Sequence, residues 1–154
     1  MRLSKESEQS SGKRQVALFV DANTIVSSLL FDGNESLLLR LGRISLCKLK
    51  TTRYVMDEVT RAFQSREFRL KDEEVASLLS YANKCITVYC SRRREQLLRY
   101  LPLLSDKKEV HVLAGFHELK CEILVTGYKE LLRKISRARS TRQALEALLG
   151  ERQD

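Results

Sequence analysis

The chain has 154 residues, of which 43% are hydrophobic and 31% charged, and its formal net charge is +8. This length suits one compact domain with its own core, and the composition excludes a disordered or fibrous protein. No apolar run reaches the roughly 18 residues of a membrane-spanning helix, and the opening MRLSKESEQSSGKRQ lacks the apolar centre of a secretory signal. The positive charge favours a polyanionic partner such as nucleic acid, although an ordinary solvated surface gives the same charge.

We predict a single domain over residues 15–150, with a disordered tail over 1–14 and a short tail over 151–154. The chain contains four cysteines, at positions Cys47, Cys85, Cys90 and Cys121. They form no C-x-x-C pair, and the two histidines are too scattered to complete a zinc site with them. Reduced thiols in a cytoplasmic protein are therefore expected.

The first predicted element is a strand over 16–20 (VALFV), whose continuous apolar run is typical of a strand covered on both faces. Apolar residues at helical spacing follow from Asn23. A second helix can begin at Asn34 or Glu35, with Gly42 at its end.

The next predicted elements are a strand over 46–49 and a helix capped by Thr51 or Thr52. A further helix begins near Lys71, where three acids follow in its first turn. A third apolar strand covers 85–89 (CITVY).

In the last third of the chain, Pro102 predicts a turn or a broken helix. A helix capped by Ser105 or Asp106 follows, then a strand over 121–126 (CEILVT), a short helix over 129–134, a weak strand and a final helix from Thr141. Strands that alternate with helices in this way predict an α/β fold, with a parallel sheet between layers of helices.

Four acids stand at predicted strand ends or on the helices that follow: Asp21, Glu58, Asp106 and Glu109. The carboxyl ends of parallel strands share one edge of a sheet, so these acids can converge there. Clustered carboxylates repel each other unless a proton or a cation offsets the repulsion, and oxygen ligands favour magnesium or manganese over zinc. Each acid taken singly is also explained as a helix cap or a solvated helix residue.

Several motifs, in order along the chain, resemble those of the PIN-domain family. FVDANTIVSSLL is similar to the family's opening strand and acid, with Asp21 and Asn23 in the matching positions and Ala22 departing from the pattern. TRYVMDEV is similar to the helix that carries the second acid, which is Glu58 here.

The two remaining motifs lie in the second half of the chain. DKKEVHVLA matches the next acidic helix through Asp106 and Glu109, with glutamate where the family usually has aspartate. ILVTGYKELL is similar to the last motif, but Tyr128 occupies its aspartate position. The resemblance covers residues from about Val16 to Leu149.

The resemblance implies a three-layer α/β/α PIN-like domain with a central parallel sheet. It also implies an endoribonuclease in which a water bound to Mg²⁺ or Mn²⁺ hydrolyses RNA phosphodiesters. Asp21, Glu58 and Glu109 would be the metal ligands, and Asp106 a further catalytic acid at the mouth of the site. Asn23 and Thr126 would hold the carboxylates and water by hydrogen bonds. A homo-oligomer such as a dimer, and an antitoxin or other protein partner in a toxin–antitoxin pair, are also implied.

Other functions are open at this point. Neutral Tyr128 supplies no anionic ligand, which favours a catalytically weakened PIN-like module that binds RNA or a protein partner. A phosphatase-like loop with Asp21 as nucleophile is less favoured because Asn23 cannot act as its general acid, and no phosphate-binding P-loop motif is present. The candidates for RNA contact are Arg92, Arg93, Arg94, Arg133, Lys134 and Arg137.

Overall fold

The central feature of the fold is a parallel sheet of five strands. The computed structural model describes residues 15–90 and 94–150, without the side chains of 94–96. The strands lie in the order β3-β2-β1-β4-β5. Their bounds are β1 Ala17–Val20, β2 Lys48–Thr52, β3 Ile86–Tyr89, β4 Ile123–Val125 and β5 Ala138–Arg139. The two predicted tails lie outside the described residues.

Helices connect and cover these strands, which confirms the predicted three-layer α/β/α architecture. Their bounds are α1 Ala22–Leu30, α2 Asn34–Arg43, α3 Arg53–Gln64, α4 Asp72–Cys85, α5 Arg94–Tyr100, α6 Lys107–Glu118, α7 Lys129–Lys134 and α8 Thr141–Leu149. A 3₁₀ turn over Leu101–Leu103 follows α5 and contains Pro102, as the predicted break requires. Within the described residues, every helix is too short or too polar to cross a bilayer.

Strand β1 is the middle of the sheet and places its carboxyl end at the centre of one edge. Phe19 pairs with Lys50 on one side and Leu124 on the other. Leu18 and Phe19 have no exposed surface because neighbouring strands and helices cover both faces. The residue that follows β1, Asp21, is therefore held in the interior of the molecule.

Strand β2 begins later and ends later than the sequence predicts. It runs to Thr52 rather than stopping at Leu49, because Thr51 is buried and its hydroxyl donates a 2.8 Å hydrogen bond to the carbonyl of Val20. Helix α3 follows without a loop, and the Thr52 hydroxyl caps it by accepting from the N–H of Val55. The prediction of Thr52 as a cap is confirmed.

Gly42 does not end helix α2 as predicted but lies inside it, one residue before the last. A Cβ atom at this position would lie 2.6 Å from Cδ1 of Leu49 and 2.9 Å from the carbonyl oxygen of Cys85. Glycine is therefore required by the close approach of α2 to the sheet.

The substitution Gly42→Ala is expected to lower the free energy of unfolding by about 1–2 kcal/mol. Overpacking outweighs the better helix propensity of alanine, because the Cys85 carbonyl belongs to the backbone and yields little. Urea denaturation measures the change. Gly150→Ala is the matched control, since no described atom lies within 4 Å of the added Cβ. Equal stability of the two variants would contradict this packing argument.

Candidate active site

The Asp21 carboxylate is the buried centre of the candidate site. It has no exposed surface and caps helix α1, where Oδ1 accepts a 3.0 Å hydrogen bond from the N–H of Thr24. Oδ2 accepts a 2.6 Å hydrogen bond from the Thr126 hydroxyl, which itself accepts from the N–H of Tyr128. Only uncharged groups hold Asp21 among the described residues. Its negative charge is thus stabilised by dipoles and available to a cation.

The two residues predicted to support the carboxylates have different places. Thr126 holds Asp21, as predicted. Asn23 is exposed on α1, and its side chain forms no hydrogen bond with a described residue, so it does not have the predicted contact. The backbone N–H of Thr24 binds Asp21 instead, because an aspartate N-cap accepts from the third residue after it.

Glu58 lies on α3 with only 9% of its side chain exposed, and the Nζ atom of Lys108 is 3.6 Å from its Oε2. Burial raises the pKa of the Glu58 carboxyl, and the negative charge of Asp106 raises it further. The positive charges of Lys108 and Arg61 act in the opposite direction. No sequence pattern indicated the role of Lys108, whose contact joins α3 to α6 across the fold.

Glu109 is buried in the first turn of α6, and its Oε1 has no hydrogen-bond partner among the described residues. Burial raises the pKa of Glu109, and the neighbouring carboxylates of Glu130 and Asp106 raise it further. Glu130 accepts from Ser105 and from Lys134, and the Lys134 contact lowers the pKa of Glu130 to about 2. The two shifts run in opposite directions, so Glu130 keeps its negative charge to a lower pH than Glu109 does.

Tyr128 is the residue on which all four predicted acids act electrostatically. Burial raises the pKa of its phenol to about 12. Four negative charges add to this shift, from Asp21, Glu58, Asp106 and Glu109. All four acids thus act on one phenol, which is uncharged at neutral pH and offers an O–H donor rather than an anionic ligand.

The acids have the type of oxygen atom that binds a divalent ion, but among the described residues they do not form a ready-made binding site. Asp21, Glu58 and Glu109 supply the oxygen ligands that Mg²⁺ and Mn²⁺ prefer, and the unpartnered oxygen of Glu109 is a position that a cation would satisfy. Nevertheless, no group of three or more acid, histidine or cysteine side chains is placed to hold an ion in the part of the chain that the structure describes. An incoming ion would also displace Lys108 from Glu58.

Three of the six residues predicted to contact RNA have side chains that the structure describes: Arg133, Lys134 and Arg137. Arg92 and Arg93 and the side chain of Arg94 lie outside the described residues. Arg133 is exposed. Lys134 is bonded to Glu130, and the guanidinium of Arg137 lies 4.8 Å from the Phe116 ring centroid. Lys134 and Arg137 therefore have structural contacts in addition to any role in binding.

Without metal, the stability that Glu58 and Glu109 contribute is expected to fall as pH rises above about 4.3, the unperturbed value for glutamate. The pKa values of Glu58 and Glu109 are raised in the folded state. Their contribution is therefore complete below that pH and is lost as pH rises through the folded values. Glu109→Gln should flatten this slope and stabilise the chain at pH 7 by about 1 kcal/mol.

Melting temperatures between pH 4 and 8 in a chelator measure this effect. Glu146→Gln is the control, because Glu146 lies on an exposed face of α8 with 65% of its side chain accessible. If the melting temperature of Glu109→Gln changes with pH as that of the native chain does, folding does not destabilise the ionised form of the Glu109 carboxyl.

Comparison with known proteins identifies the fold alone. No protein-family model matches the chain, and no curated protein sequence matches it. A solved structure, that of PAE2754 from Pyrobaculum aerophilum, is similar with a TM-score of 0.63 and 18% sequence identity. The similarity covers 88% of this chain and 96% of that protein.

Proposed function

We propose that the chain is a Mg²⁺- or Mn²⁺-dependent endoribonuclease of the PIN type. The observation that carries this proposal is that Asp21, Glu58, Asp106 and Glu109 all act electrostatically on the phenol of Tyr128. These acids come from three separate segments, at the edge of the sheet where open α/β folds bind ligands. The net charge of +8 would attract a polyanionic strand to this acidic site.

In this proposal the buried acids and the exposed acid have different roles. Asp21, Glu58 and Glu109 would hold the ion, and Thr126 would keep the Asp21 carboxylate in place. When bound, the ion lowers the pKa of a water and stabilises charge that develops on the phosphate. Asp106 is exposed, and only its Oδ1 is occupied, by the N–H of Lys108. Its other oxygen can accept a proton at the mouth of the site.

A second function is favoured by one specific feature, the neutral Tyr128 among the acids. The neutral phenol and the Lys108 ammonium beside Glu58 both reduce the negative charge that would bind a metal. In this alternative the chain is a weakened PIN-like module that binds RNA or a protein partner without cutting. The antitoxin partner, self-association and cytoplasmic location stay predictions from the sequence.

Cleavage of a fluorescent single-stranded RNA by the purified chain distinguishes the two functions. The nuclease requires cleavage in Mn²⁺ or Mg²⁺ that EDTA stops and fresh Mn²⁺ restores, with ion binding detected by calorimetry. RNA that is bound but stays intact in Mn²⁺ would refute the nuclease and support the second function.

A further inference from the structure

A cavity of about 970 Å³ lies beside the acidic site, between the start of α3, helix α6 and the segment that contains α5. Its volume is near the upper end of the range for small-ligand sites, about 300–1,000 Å³. Leu97, Leu98 and Leu101 form part of its aliphatic wall. Two of these leucines are well exposed, Leu98 by 66% and Leu101 by 41%.

The same two helices carry residues of the cavity and of the acidic site. Helix α3 supplies Tyr54 to the cavity and Glu58, one turn later, to the acidic site. Helix α6 supplies His111 to the cavity, while Asp106 caps the same helix. Burial raises the pKa of Tyr54, and the charges of Glu58 and Asp106 raise it further, so the two regions are near each other.

One wall of the cavity is a flat aromatic surface. The rings of Tyr54 and His111 are stacked, with centroids 3.6 Å apart and planes 9° from parallel. Burial lowers the pKa of His111, so the imidazole is neutral at neutral pH. Such surfaces stack on the bases of single strands, since every base has a flat π face.

The charged groups at the cavity suit a polyanion. Arg53 and Lys107 are exposed and line it, and neither forms an ion pair with a described residue. Asp57 is the acid that accompanies them in the lining. Two cations that have no ion-pair partner among the described residues, beside an aromatic surface, match the phosphate and the base of one nucleotide.

We propose that this cavity binds an unpaired base of single-stranded RNA, next to the phosphate held at the acids. The proposal rests on the proposed ribonuclease function and adds the part of the site that would select the substrate. The base would stack on the outer face of the Tyr54 ring, whose inner face is covered by His111, while Arg53 and Lys107 would contact the adjoining phosphates. An apolar partner helix would use the leucines but would leave both cations unpaired.

Binding of a short fluorescein-labelled RNA, measured by anisotropy in EDTA, tests the proposal without any cleavage. Tyr54→Leu should weaken binding by about tenfold, the loss of one base–aromatic stack, whereas Tyr54→Phe should bind as the native chain does. An oligonucleotide with abasic positions should bind the native and Tyr54→Leu chains equally. This comparison separates stacking from backbone contacts.

The proposed phosphate contacts of the cationic side chains are tested by the salt dependence of RNA binding. Lys107→Ala should weaken binding and reduce the slope of log affinity against log salt by about 1. Lys84→Ala is the matched control, because Lys84 is exposed near the end of α4, next to the start of β3 and so at the opposite edge of the sheet. Melting temperatures confirm that each variant is folded.

Native-like RNA binding by Tyr54→Leu would overturn the proposal. It would also be overturned if Leu98→Glu turned a dimer into a monomer in sedimentation and left RNA binding unchanged, since the cavity would then be an interface between copies. These results are independent of the nuclease. A chain that binds as expected but does not cut in Mn²⁺ refutes the proposed cleavage alone, and one that cuts while Tyr54→Leu binds normally refutes the base site alone.

Discussion

The substitution Asp21→Asn is expected to reduce metal-dependent RNA cleavage by about 10³-fold, since an ion contributes several kcal/mol to stabilising the transition state. Asparagine has the same shape as aspartate and caps helices equally well. Its oxygen can still accept from the N–H of Thr24, while its amide can donate to the Thr126 hydroxyl. Only the negative charge is lost, so the free energy of unfolding should change by no more than about 1 kcal/mol.

Single-turnover cleavage in Mn²⁺, together with calorimetric titration of the ion, measures this loss. Asp32→Asn is the matched control because Asp32 is exposed beyond the carboxyl end of α1, away from the acidic edge. Cleavage by Asp21→Asn at the native rate would remove Asp21 from the metal site. The description of the fold would still hold, but the cleavage would have to come from residues other than Asp21.

The substitution Tyr128→Asp is expected to tighten Mn²⁺ binding and to raise cleavage by at least about tenfold, which corresponds to roughly 1.4 kcal/mol. A carboxylate would replace the neutral phenol among the four acids that already act on it. In a chelator the same change should destabilise the chain by about 1–2 kcal/mol, since a fifth negative charge adds repulsion. Saturating Mn²⁺ should recover this loss, because a ligand that binds only the folded state stabilises it.

Tyr128→Asn is the control for the size of the side chain, since it removes the ring without adding charge. Thermal melts of both variants, with and without Mn²⁺, separate the two effects. A larger Mn²⁺-induced stabilisation in Tyr128→Asp than in Tyr128→Asn is the expected result. Equal stabilisation would show that position 128 does not contribute to ion binding.

Much of the fold was predictable because its signals are local. The apolar run before Asp21 specified a central strand, helical spacing from Asn23 indicated α1, and residues of the types that favour helix N-termini marked the starts of α3 and α6. Asp21, Thr52 and Asp106 all cap helices in the structure. Cys85, predicted to open a strand, is instead the last residue of α4, because an apolar residue between two elements fits either one.

The missed features depend on distances across the fold. The contact of Glu130 with Ser105 and the effect of Glu130 on Glu109 join segments that the sequence separates by more than 20 residues. Likewise, the close approach at Gly42 depends on Leu49 and Cys85, which belong to other elements. Periodicity and capping patterns contain no information about such contacts.

Strands β1, β2 and β4 end at the acidic edge, and the segments that follow them differ in how well they tolerate insertions and substitutions. Asp21 is the single residue between β1 and α1, and α3 follows β2 directly, so an insertion there would shift a strand or unwind a helix. Three residues separate β4 from α7, and a Cβ at Gly127 would meet no described atom within 4 Å. A new side chain can therefore be introduced at position 127 without a clash with the described residues, which makes this corner the natural entry point for redesigning the site.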